Sequence, residues 1–482
     1  MSRPGNAPWP NNKEALRINQ EIDDFGRRCP YKEIPMIQSH AKIVALMALA
    51  GGLPMANAGT FPDFGFAPPK SEYSGPAFQL SQNYPATAPG AASMPAFFKI
   101  LPTTRSNDFE TWRAYMEGVK QYCLEGNAET NWNVQKNTVR QWYHMPWQHY
   151  GPSGREGIHG LTREAPIQPK QLAHTQLESG QTYAVGIYND IGAFTIGQVW
   201  KDPQNPDPSF TSKPKSFPNG TVVCKALYAD IDVNSVPSLA NPLLLDAYTA
   251  VTFTSTDRVV KKVALIQMDI AVRDTRVSET GWLFGTFQYN GIDKSKGDWE
   301  NLVPVGIMWG NDPEVTSSEF TNPTPTETKI NPALKQTAIN ANAKELPPTH
   351  LGWNGRLNGP VDNPQASCLS CHMTAEYQQL AIMNPTFQAD PPAPGTEEWM
   401  QWFQNIPAGQ PFTPGTQSTD YSLQLSAALA NFYDWKCNHS GVYADGKNAC
   451  EKIVPLKLMK ASNVPQDEVK KVQRSPELED LE

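Results

Sequence analysis

The chain has 482 residues, a net charge of −8, 39% apolar and 18% charged residues, and 44 prolines. That length suits two or three domains, and the apolar share is enough to build cores. No Lys/Arg-rich run interrupts the acidic balance, so nucleic-acid binding has no electrostatic support, and a basic protein partner suits the charge better.

Residues 1–35 read as an upstream extension. Met36-Ile-Gln-Ser-His-Ala-Lys42 then leads into the apolar run Ile43 to Ala50, and Ala56-Asn57-Ala58 follows. A basic residue, a short apolar core and an A-x-A site in that order are the parts of a secretory signal peptide, placed at 36–58 with cleavage after Ala58. The expectation is an exported protein, periplasmic or secreted. The apolar run is too short for a bilayer span of about 20 residues, and no transmembrane span is expected after cleavage. Beyond Ala58 lie Cys123, Cys224, Cys368, Cys371, Cys437 and Cys450. Cys437 and Cys450 are close enough in sequence to close a short disulfide loop. Cys123 and Cys224 are either a second pair or two buried thiols.

Residues 59–104, rich in Pro, Gly, Ala and Phe, read as an extended arm. A helical segment rich in His and aromatic residues follows over 105–165. Trp112, Tyr115, Met116, Val119, Tyr122 and Cys123 recur at helical steps, with Asn107 and Glu110 at capping-box spacing and Gly126 as the stop. Within it, His144, His149, Arg155, Glu156 and His159 stand among aromatics. They make either a patch that covers a cofactor or a second site for a metal or small molecule. Against these stands an aromatic packing surface with hydrogen-bonded histidines. His144 and His149 are five apart, which does not align them on one helix face.

From 166 to 310 the pattern changes to short β-rich runs: 182–187, 193–200, 221–231, 250–254, 259–272, 281–289 and 303–309. Turn residues punctuate them, and the gaps are mostly too short for crossover helices. The fold class is therefore α+β, with an antiparallel β-sandwich or jelly-roll-like middle domain. A Pro/Thr/Asn-rich linker covers 311–348, a helical domain 349–460 and a charged tail 461–482. Helices are expected from Cys371 to Met383, after Thr396, and from Tyr421 to Trp435.

The chemistry-bearing motif lies at the start of that last domain. Cys368-Leu369-Ser370-Cys371-His372 is a C-x-x-C-H, the spacing that attaches a c-type haem through two thioethers with the histidine as iron ligand. A zinc site would need a second Cys or His pair nearby, and a dithiol redox pair would need a βαβ setting; neither is present. Met400, with Met383 as the other choice after the motif, is the candidate sixth iron ligand. No G-x-S-x-G, H-E-x-x-H or dinucleotide fingerprint occurs, and the near P-loop at Gly441 lacks its Ser or Thr.

Cys368, Cys371 and His372 resemble the haem-binding motif of the c-type cytochromes. That resemblance implies covalent haem c, a small helical cytochrome c-like C-terminal domain and electron transfer with a redox partner protein. The segments Gly352-Trp-Asn-Gly-Arg-Leu-Asn-Gly-Pro-Val-Asp-Asn-Pro364 and Gly154-Arg-Glu-Gly-Ile-His-Gly-Leu-Thr-Arg-Glu164 are similar to a group of exported bacterial single-haem proteins, a likeness that implies no particular reaction. Unlike the small cytochromes, the approach to the motif is full of Gly, Asn and Pro, so the rest of the chain is expected to cover the haem. One-electron transfer is the leading expectation. The alternatives are a haem-dependent oxidoreductase with an open iron position and a ligand-binding β module with a redox-sensing haem.

Overall fold

The run RVVKKVALIQMDIAVR forms the longest strand and organises the fold. The computed structural model describes residues 61–100, 109–148, 154–316, 325–332, 351–377 and 381–439, apart from residues 64, 252–256, 294 and 389. In chain order the elements are helix α1 (Phe109–Leu124), β1 (Thr162–Ile167), β2 (Gly180–Tyr188), α2 (Asp190–Val199), β3 (Val222–Asp230), β4 (Leu244–Ala250) and β5 (Arg258–Arg273). There follow β6 (Trp282–Tyr289), β7 (Leu302–Met308), β8 (Thr328–Ile330), α3 (Cys368–His372), β9 (Glu376–Tyr377), α4 (Glu397–Met400), β10 (Gln417–Ser418) and α5 (Leu423–His439). Strands β1 to β8 form one sheet in the order β1-β2-β3-β5-β6-β7-β8, with β4 paired to β5, and β9 pairs with β10. Every pairing is antiparallel.

The sheet is covered on both faces, and the period of two in the strands sorts the side chains. Cys224 and Ile270 face one way. There they join a core with Trp112, Tyr115, Met116, Val119 and Cys123 of α1. Trp112 stacks on Trp309 at 4.3 Å. The disulfide Cys123–Cys224 ties α1 to β3, with Cα atoms 6.1 Å apart and 101 residues between them in sequence. Thus the first of the two open readings for these cysteines holds. On the opposite face, Tyr188, Trp282, Phe284 and Met308 form a second core with Leu369, Met373, Trp399, Phe403, Leu425 and Phe432. Each large apolar side chain buried in this way contributes about 1.5–3 kcal/mol. One hydrophobic cluster therefore unites the sheet with the segment after residue 350.

Four expectations need correction. The run 193–200 is not a strand but most of α2. Asn189 caps it, its side chain accepting from the Gly192 amide at 3.1 Å and from the Val222 amide at 3.0 Å. Five of its eight residues are buried and three are half-buried, and so short an apolar run carries little period to separate helix from strand. The eight strands β1 to β8 share one antiparallel sheet, and the other sheet among the described residues is the two-stranded β9–β10 pair rather than a second layer of the middle domain. The helix expected from Cys371 to Met383 is instead α3, which ends at His372. Beyond it Glu376 is buried and accepts from the Thr413 amide at 2.7 Å and the Thr416 hydroxyl at 2.8 Å, which favours the β9–β10 pair over continued helix. The linker is in part built in: Asp312 accepts from the Thr326 and Glu327 amides, and β8 extends the sheet.

The long span closed by Cys123–Cys224 gives the disulfide a large share in stability. Replacing both cysteines by serine is expected to lower the unfolding free energy by about 2–5 kcal/mol in a denaturant titration. An unchanged midpoint would mean that the bridge contributes nothing.

Candidate cofactor cavity on the second face of the sheet

Register places two rows of side chains under a cavity. Tyr188, Val223, Ala271 and Phe284 are cross-strand neighbours in one row; Gly186, Lys225, Asp269 and Thr286 are neighbours in the next. The first row is apolar and the second polar. Above them the cavity, of about 1330 Å³ including its open mouth, is closed by residues of α3, by Met383 and by Tyr421 to Gln424. A Cβ at Gly186 would stand 1.9 Å from the Gln424 side-chain nitrogen, so a larger residue there would require the Gln424 side chain to move.

Cys368, Cys371 and His372 all line this cavity. Helix α3 is short but well fixed. The Ser367 hydroxyl accepts from the Ser370 amide at 3.0 Å and donates to the Asn311 side chain at 2.8 Å. The Ser370 hydroxyl returns the capping bond to the Ser367 amide at 2.7 Å. The Cys368 amide donates to the Leu357 carbonyl at 3.1 Å. The Gly- and Asn-rich approach is thus itself the anchor, in place of a leading helix.

The state of His372 follows from one bond. Its Nδ1 lies 2.8 Å from the Tyr421 carbonyl oxygen, which can only accept. Nδ1 therefore carries the proton, and in the neutral ring Nε2 keeps a lone pair. Burial lowers the pKa to about 4, against the opposing pull of that carbonyl and with Lys225 adding to the depression. The Phe284 ring sits 4.6 Å from the imidazole. Burial, with the Asp269 and Asp362 carboxylates behind it, pushes the Cys368 thiol well up and keeps it neutral. A neutral imidazole donor and two thiols on the wall of a largely apolar cavity are a donor set that fits a covalently attached haem.

The polar edge of the cavity is a network of half-buried charges. Lys225 pairs with Glu164 at 3.0 Å. Asp269 accepts from Gln267 Nε2 at 2.9 and 3.0 Å and from the Thr286 hydroxyl, and Asp362 accepts from the same Gln267 amide at 3.1 Å. Burial, then the neighbouring Asp362, raise Asp269 from the usual carboxylate range to about 7.

Other sequence candidates lie elsewhere. His144, Arg155 and His159 are not in the cavity wall and hold other segments together. His144 Nδ1 accepts from the Ser81 amide at 2.9 Å, His159 Nδ1 meets the Asp246 carbonyl at 2.8 Å, and Arg155 pairs with Asp63. Glu156 collects the amides of Ile158, His159, Leu161 and Tyr248. Among the described residues no group of three or more His, Cys, Asp or Glu side chains could hold a metal ion. From that stretch only Gln148 reaches the cavity among the described residues. Met400 is buried in the second core but does not line the cavity, whereas Met383 does. His149, Cys450 and the Cys437 side chain lie outside the described residues. Lys225, Asp269, Phe284 and Tyr421 went unselected in the sequence. The first two had a signal: each is a charge set between apolar residues in a β-rich run, Lys225 in VVCKAL and Asp269 in IQMDIAV.

His144 sets a pH dependence. Burial, then Arg155, lower its pKa from 6.5 to about 3, so between these values the unfolded chain binds a proton that the folded one does not. Its contribution is complete above pH 6.5 and is lost as pH falls toward 3, at about 1.4 kcal/mol per pH unit. The difference in unfolding free energy between the native chain and His144→Gln is expected to shrink by that slope from pH 6 to pH 4; a constant difference would refute the assignment. Comparison of the chain with protein-family models, with curated proteins and with solved structures finds no match.

Proposed function

We propose that the chain is an exported, single-haem c-type cytochrome-like protein that carries one electron at a time for a redox partner protein. The observation that carries this reading is the placing of both motif cysteines and a neutral His372, proton on Nδ1, around one cavity. A bound haem supplies the reversible one-electron couple of its iron. Cys368 and Cys371 would hold it by thioethers, and His372 Nε2 would be its axial ligand. Tyr188, Val223, Ala271 and Phe284 form an apolar floor that excludes water from one side. Met383, from the cavity wall, is the better candidate for the sixth position. In this reading the haem-bearing part lies within 349–460 as expected from sequence, and the sheet supplies its cover.

Export is supported by the signal-like segment 36–58 and by the buried Cys123–Cys224 bridge, a bond that persists in oxidising compartments. Among the described residues no helix is long and apolar enough to cross a membrane. A second reading, a haem-dependent oxidoreductase with an open iron position, draws on the Lys225–Asp269 edge of the cavity. A carboxyl whose pKa is raised to about 7 can give or take a proton at neutral pH, which suits general acid–base work.

Chain matured in a bacterial periplasm with haem-attachment machinery is expected to give a pyridine haemochrome spectrum of haem c that survives acid–acetone extraction. Cys368→Ala/Cys371→Ala should lose the covalent haem. Native protein without thioether-linked haem would sink the proposal. Indifference of the native iron to carbon monoxide and cyanide favours the carrier; rapid binding of either favours the oxidoreductase.

A further inference from the structure

The carbonyl that orients His372 sits on an unusual piece of backbone. Asp420 and Tyr421 are adjacent non-glycine residues with φ of 53° and 65°. Side chains with a Cβ rarely adopt this left-handed region, and they stay there only where their surroundings impose it. The imposing group is the Asp420 carboxylate, which is fully buried. It accepts from the Phe217 amide at 2.6 Å, the Gly409 amide at 3.0 Å and Trp282 Nε1 at 3.0 Å. The Asp420 amide in turn donates to Ser418 Oγ at 2.9 Å, and the Tyr421 hydroxyl to the Ile406 carbonyl at 2.5 Å. These bonds pin the turn to the loop before β3, to the floor strand β6 and to the chain around residue 409.

We propose that Asp420 is a positioning residue for His372: it locks the left-handed turn whose carbonyl fixes the imidazole tautomer and keeps Nε2 available to the cavity. This deepens, and rests on, the haem reading given above. Asp420 acts on His372 only through the carbonyl of the next residue, so its effect is one of geometry. Without the carboxylate, three buried N–H donors lose their acceptor and the two left-handed residues lose their restraint. The turn can then relax to ordinary φ values, and the Tyr421 oxygen swings away from Nδ1. Asparagine retains one acceptor oxygen but turns an NH₂ group toward other donors, so it supports the turn only in part.

The test uses the full, matured chain with ¹⁵N-labelled histidine in the ferrous state, with carbon monoxide added if the iron is high-spin. Native protein, Asp420→Ala and Asp420→Asn are compared with Asp274→Asn. The last alters a buried carboxylate that binds Tyr115 and Arg276 on the other face of the sheet. Exchange of the His372 Nδ1 proton, midpoint potential, melting temperature and haemochrome content are measured. Both Asp420 variants are expected to speed that exchange at least about tenfold, a factor equal to about 1.4 kcal/mol. They should also raise the potential, because a ring that loses its carbonyl partner is a weaker donor. Asp274→Asn should lower the melting temperature and change neither quantity. If Asp420→Ala does not accumulate, Asp420→Asn carries the test. Haem-loaded Asp420 variants with native exchange overturn the positioning role alone. Absence of covalent haem in the native protein overturns the haem reading and this role with it.

Discussion

Every central strand of this sheet has apolar side chains on both faces, and each face must find a cover. That constraint explains the order of the chain. Helix α1 is supplied before the sheet and closes one face with Trp112, Tyr115, Met116 and Val119. The segment after residue 350 comes last and closes the other with Leu369, Trp399, Phe403 and Phe432. The second cover joins one long helix, α5, to short helices and turns, so it does not fill the space above the sheet. The cavity is what remains between a continuous floor and a discontinuous roof.

The roof stays in place through a few well-satisfied polar groups. Arg356, fully buried, donates to the carbonyls of Asn311 at 2.6 Å, Asp312 at 2.7 Å and Val315 at 3.0 Å, and lies over the Trp353 and Phe403 rings. Asp420 plays the same part for its own loop, and Glu376 does so through one of its two oxygens. A buried charge left without partners is costly, so each of these side chains fixes the chain segments that bring its partners. Irregular backbone is thus held as firmly as regular structure, which a chemical group facing the cavity requires.

Strands β2, β3, β5, β6 and β7 were legible from β-rich runs and turn residues, and α1 from its helical repeat ending at Gly126; β1 and β8 to β10 were not, and the run 250–254 meets β4 only at Ala250. The failures have physical causes. Residues 193–200 are buried or half-buried throughout, so hydrophobic period could not distinguish helix from strand over so short a run. The sandwich expectation came from counting strands and turns; the sign it passed over is that a sandwich's strands alternate apolar and polar, whereas strands covered on both faces, as here, are apolar on both sides. At the site, Cys368, Cys371 and His372 were legible because their chemistry needs fixed local spacing. Phe284, Lys225, Asp269 and Tyr421 reach the cavity through register and through a turn, and neither is written in local spacing. His144 and His159 drew notice by clustering, yet each spends its ring nitrogen on a backbone group of a distant segment.

The alternation of β3 also has a consequence for sulfur. Cys224 and its neighbours Val223 and Lys225 are consecutive, so the bridge to Cys123 lies on one side of the sheet while the cavity floor lies on the other. A one-residue slip of β3 would carry Cys224 to the cavity side and break its reach to α1. The sheet therefore acts as a partition: it keeps the oxidised cysteine pair on one side and the two free thiols, Cys368 and Cys371, on the other. Once the chain has folded, thiol exchange between the two pairs is closed off by the wall between them.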